Sequence, residues 1–153
     1  MNRVEITWQA EDVQADGLAL ETLIETICER FGVSGATIGV AVVDDDQIGE
    51  LNRRFLGHEG TTDCLSFDLS DGDDPNAPRV FDLIVNSQMA AREAAQRGHS
   101  TQAELALYVT HALLHQLGFD DVTPPQARRM HETEDEILQH AGLGVVYNDR
   151  PRS

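Results

Sequence analysis

The chain contains no lysine: all eleven of its basic residues are arginine. Any contact it makes with phosphate would therefore use the forked guanidinium, which binds phosphate through two parallel hydrogen bonds. Basic charge is also scarce. Against those eleven stand 27 acidic residues, for a formal net charge of −16. Nucleic-acid affinity comes chiefly from neutralising phosphates, so a charge of this sign opposes it globally and any such binding has to be achieved locally. Cysteine is nearly absent. Cys28 and Cys64 are isolated, with no CxxC, which excludes a disulfide framework or a cysteine metal clip and leaves two small reduced core residues. No stretch approaches the apolar length of a membrane span, and MNRVEITWQAED has no basic region followed by an apolar run. A soluble, unexported, cytoplasmic protein with no membrane partner is expected. There are no internal repeats and no low-complexity tract, and 153 residues at 41% hydrophobic content suit one self-sufficient domain over residues 1–153.

What is present alternates by type. VEITW (Val4 to Trp8) has the period of a strand with one buried face. Leu18, Leu20, Leu23, Ile24, Ile27 and Phe31 recur at helical spacing up to Gly32. ATIGVAVV (Ala36 to Val43) is a nearly continuous β-branched run, as in a central strand covered on both faces. Asp44 with Gln47 forms a capping box for a helix to about Phe55, striped by Ile48, Leu51 and Phe55. CLSFDL and VFDLIV read as two further strands around the acidic loop SDGDDPNAP, whose spacing does not match a calcium-binding loop and reads as a solvated turn. Ser87 begins a helix that ends at Gly98, and Thr101 with Glu104 forms the expected capping box of a long apolar helix after it. Thr123, Pro124 and Gln126 supply cap, first-turn proline and box partner for a last helix to about His140, and the tail YNDRPRS reads as frayed. The order β-α-β-α-β-β-α-α-α argues an α+β fold: about five helices packed on a small mixed sheet of four strands.

The chemistry concentrates in HALLHQLGFDD, at the end of the long apolar helix. His111 and His115 lie one turn apart on one helix face, roughly 5–6 Å between Cβ atoms, so that two imidazoles can reach one ion. Zinc in catalytic sites takes three protein ligands and keeps a fourth position for water. Gly118 can end the helix in a left-handed conformation and turn the chain back, bringing Asp120 and Asp121 within reach. HxxxHxxGxxD therefore reads as helix, turn and third ligand, with the metal-binding helix at the centre of the domain. The two histidines alone read more readily as core residues bonded to backbone; the glycine and the carboxylate turn the reading to metal.

The same segment resembles the HGxLHLxGYDH signature of the YbeY family, bacterial zinc-dependent endoribonucleases of ribosomal RNA maturation and ribosome quality control. His111, Leu114, His115, Gly118 and Asp120 fall on that pattern, and Phe119 stands where the family has Tyr. LNRRFLGHEGTTDCLSF (Leu51 to Phe67) is similar to the family's LNxxYRGxxxPTDVLSF, and FDLIVNS, Met130, Glu134 and Ile137-Leu138 extend the agreement in order. The resemblance implies one zinc ion held by His111, His115 and Asp121, and a zincin-like central helix. It also implies a hydroxide generated on the metal that attacks a phosphodiester in single-stranded RNA, at the 3′ end of small-subunit rRNA. Ribosomes or ribosomal proteins would be partners.

Two positions depart from the family. Asp121 replaces its third histidine, and Leu56 replaces the arginine that follows LNxxY. An anionic ligand lowers the net charge of the site, so bound water should be less acidic than with three imidazoles. Arg53 and Arg54 lie a turn earlier, but on a helix they point elsewhere and read as solvated surface groups, not as replacements for the missing cation. His131 is the only other credible ligand, while His58, His99 and His140 carry little signal. A metalloprotease with this spacing needs a glutamate beside the first histidine, and Ala112 is there instead. Two histidines and a carboxylate would also suit iron or nickel. A ribosome-associated metal-binding protein with weakened catalysis is the remaining alternative.

Overall fold

In a computed structural model the chain is described over residues 1–10, 13 and 15–143; the expected frayed tail YNDRPRS lies outside them. Nine elements follow in the expected order: β1 (Arg3–Trp8), α1 (Gly17–Arg30), β2 (Thr37–Val43), α2 (Asp45–Leu56), β3 (Cys64–Asp68), β4 (Val80–Asn86), α3 (Ser87–Arg97), α4 (Thr101–Gln116) and α5 (Pro124–His140). The fold is α+β, with a mixed sheet of four strands in the order β1-β2-β4-β3. β1, β2 and β4 run parallel, and β3 is an antiparallel edge strand.

Register decides which side chains share a face. Ile38, Val40 and Val42 of β2 stand beside Phe81, Leu83 and Val85 of β4, and all six are buried. With α1, α4 and α5 they form the main core, which also takes in Cys64 of β3 and Ala90 of α3. The opposite face carries a smaller cluster of Val43, Leu65 and Ile84 under Ile48 of α2. β2 is central, as its composition predicts, but its second face is only part covered: Thr37, Gly39 and Ala41 remain half-buried because α2 alone lies there. The acidic loop after β3 is exposed, and three of its turns close when Asp68, Asp71 and Asp74 accept backbone N–H bonds two residues on.

Both capping boxes read from Asp44/Gln47 and Thr123/Gln126 are formed in full, and Pro124 opens α5. The box read from Thr101 and Glu104 is not. Ser100 is the cap of α4, accepting from the Ala103 amide, so the helix begins one residue earlier in the capping register. Glu104 is instead fully buried, accepting from Arg97 Nη1 at 2.8 Å and bonded to His99 Nε2 at 2.7 Å. α4 runs through the interior: Ala103 to Thr110 and Ala112 to Leu114 are all buried. No helix among the described residues is long and apolar enough to cross a membrane.

Candidate metal centre

Beyond its first two residues α4 gives up burial only at His111, His115 and Gln116, toward its C-terminal end. Helical spacing sets their rings edge to face with centroids 5.0 Å apart. The chain leaves the helix through Leu117 and Gly118, whose φ of 101° a side chain would strain. Phe119 N–H bonds back to Leu114 O at 3.0 Å, and Asp120 Oδ1 accepts from the Asp121 amide at 2.8 Å. This turn delivers Asp121: its Oδ2 stands 3.8 Å from His111 Nε2, and its Oδ1 3.9 Å from His115 Nε2. His111, His115 and Asp121 thus offer ligand atoms all within 4.8 Å of one another, the one such metal-capable group among the described residues.

These donors suit a zinc ion. Two imidazoles and a carboxylate are ordinary zinc ligands, and ligand atoms about 2.0–2.2 Å from one ion stand about 3.3 Å apart in a tetrahedron. The observed spacings exceed that by about half an ångström, which the exposed Asp121 turn can close. Asp120, the other carboxylate the turn could have supplied, bonds its neighbour's amide and stands outside the group.

Behind the histidines lies a residue whose role sequence reading missed. Glu134 of α5 is fully buried, and its two oxygens accept from His111 Nδ1 at 2.7 Å and His131 Nδ1 at 2.9 Å. With Nδ1 of His111 carrying the proton toward Glu134, Nε2 is left as the free donor facing Asp121. Burial alone would lower the His111 pKa and raise that of Glu134. The hydrogen bond and charge between them outweigh it, holding the ring above its ordinary value and the carboxyl below. The signal for Glu134 was in the sequence: it lies on the buried stripe of α5 with Met130, Ile137 and Leu138, where a carboxylate needs a buried partner.

The other candidates separate. His131 stacks on His111 (centroids 6.5 Å, 16° between planes) but turns its Nδ1 to Glu134, so it supports the first imidazole and does not join the three donors. His99 is bound to Glu104, on the other side of α4's first turn, while His58 and His140 are exposed. Arg53 pairs with Glu50, Arg54 lies over the Phe55 ring, and Leu56 is 47% exposed. Cys28 is buried and Cys64 half-buried, both free thiols.

The chain is similar to known proteins. A chain called endoribonuclease YbeY from Corynebacterium efficiens is 32% identical over 154 residues, spanning 89% of this chain and 77% of its own length. Its namesake from a Roseiflexus species is 34% identical over 136 residues, covering 84% and 85%. A solution structure of a Thermotoga maritima protein superposes with a TM-score of 0.60 over 92% of this chain and 89% of that one at 24% identity, so it speaks for the fold alone. The family described as endoribonuclease YbeY matches residues 5–142. With this family match and these relatives, the chain belongs to the YbeY family of endoribonucleases.

Proposed function

We propose that residues 1–153 form one metal-dependent hydrolase domain that cuts single-stranded RNA in the cytoplasm, using one zinc ion held by His111, His115 and Asp121. Its substrate in this reading is ribosomal RNA, in maturation of the 3′ end of the small-subunit rRNA and in ribosome quality control, with ribosomes or ribosomal proteins as partners. The observation that carries it is the convergence of two Nε2 atoms and one carboxylate within 4.8 Å at a helix end. When bound, zinc supplies Lewis acidity toward a phosphoryl oxygen and a water acidified toward neutrality. The chain's residues set the conditions for that chemistry. Glu134 keeps the His111 proton on Nδ1 and the ring's orientation fixed, and Gln116 ties the end of α4 to β3 through Ser66 Oγ at 2.8 Å. The half-exposed donors leave one side open to a strand of RNA.

The test is cleavage of single-stranded RNA by the purified, metal-quantified chain beside a His115→Ala variant. Loss of both zinc and cleavage in the variant supports the reading; equal cleavage by the two proteins removes it. A second reading, a ribosome-associated metal-binding protein with weakened catalysis, is favoured by Leu56, exposed where the family resemblance expects a cation. Stoichiometric zinc without cleavage would select it.

A further inference from the structure

Phe55 is 60% exposed on the last turn of α2. Its ring is not loose. It meets Phe67 of β3 edge to face, with centroids 5.8 Å apart and planes at 64°. Phe67 in turn packs on the small cluster beneath α2. The Arg54 guanidinium lies 5.8 Å from the Phe55 centroid. In a chain of charge −16, Arg3, Arg30, Arg53, Arg92 and Arg97 are all neutralised by carboxylates. Arg54, like Arg79, Arg128 and Arg129, makes no ion pair among the described residues. The other rings with an arginine over them, Phe31 and Phe119, are half-buried and pack against the main core and each other.

Position ties this ring to the proposed metal site. β3 is the free edge of the sheet, and its side chains alternate between two faces. On one face Ser66 is bonded to Gln116, the residue after His115. On the other, one residue along, Phe67 supports Phe55. The end of α4 that carries His115 and the exposed Phe55 ring are thus held by neighbouring residues of one short edge strand, Ser66 and Phe67.

We propose that Phe55, backed by Phe67 and flanked by Arg54, is a stacking platform for an unpaired base of the RNA. It gives this acidic protein a foothold on single strands: an aromatic face binds any base, and one guanidinium answers the adjacent phosphate, so little net positive charge is needed. Duplex RNA, whose bases are already stacked, gains nothing from it. This inference rests on the endoribonuclease reading.

The experiment measures binding of a short labelled single-stranded oligoadenylate to the full chain by fluorescence anisotropy, with chelator present so that the strand stays whole. Wild type, Phe55→Ala, Phe55→Leu and Phe55→Trp are compared, and their thermal unfolding is recorded to show that each is folded. Loss of one stacked base predicts an affinity about 5- to 150-fold weaker for the Ala variant. The Leu variant, which keeps apolar bulk without a π face, should fall with Ala, and Trp should match wild type. Equal affinity of Ala and wild type, or full retention by Leu, overturns the platform. If wild type still cuts RNA in metal when that happens, the endoribonuclease reading survives; a wild type that neither binds nor cuts overturns both.

Discussion

Asp121 is the residue on which the chemistry of the proposed site turns most directly. A carboxylate in the ligand set cancels one more unit of positive charge than an imidazole would, so water on the metal should lose its proton at higher pH. Asp121→His is therefore expected to shift the rising limb of the pH–rate profile for RNA cleavage to lower pH; identical profiles would contradict this. Glu134 makes a second prediction at the same scale. It touches no metal donor except through His111, whose free nitrogen it selects. Glu134→Ala leaves two imidazole N–H groups without their acceptor and should weaken zinc affinity about 10- to 100-fold, read by competition with a chromophoric chelator. Glu134→Gln, which keeps one acceptor oxygen, should lose less. His111 and His115 were legible in the sequence because helical spacing is local. Glu134 was legible only as a carboxylate on an apolar stripe, since its partner sits 23 positions away on another helix.

Elements obey the same division between local and distant. α2 and α5 begin where their capping boxes say, since a box is a contact over three residues that the sequence carries whole. α4 is capped by Ser100 and not by Thr101. The reason is tertiary: Glu104, which would have completed a box with Thr101, is drawn inward by Arg97 and His99, leaving Ser100 to reach the Ala103 amide. Ser100→Ala should cost about 1 kcal/mol in chemical denaturation. Thr101→Ala, if Ser100 is the cap, should stay within about 0.5 kcal/mol.

At the scale of the whole molecule, distant segments are tied by a cluster at the carboxyl end of β4. Asp45 at the start of α2 takes both Arg92 Nη groups of α3 at 2.6 and 3.0 Å, and also bonds Asn86 of β4 and Thr61 of the loop before β3. The Arg92 hydrogen bond is the main cause that holds the Asp45 carboxyl down to about 2; burial works against it, and Asn86 and Thr61 add to it. A carboxyl whose folded pKa is depressed contributes stability that is complete above its unfolded value of 3.8 and is lost as pH falls toward about 2. Asp45→Asn should therefore flatten the acid limb of the unfolding midpoint between those two values; an unchanged limb would exclude the cluster as its source. Metal removal acts on the same scale. Zinc bound only to the native state adds about 2.7 kcal/mol at a free concentration 100 times its dissociation constant, so chelation should lower the unfolding midpoint of wild type and leave His115→Ala unmoved.

The sequence by itself determined the order and type of nearly every element, the central place of β2 and α4, and the face on which the two histidines stand. Each of these depends on periodicity or capping within a few residues. Only the tertiary structure decided that Glu134 joins His111 to His131, and that Phe55 stays exposed beside an edge strand. Those facts depend on which element lies against which, and residues far apart in the chain set that.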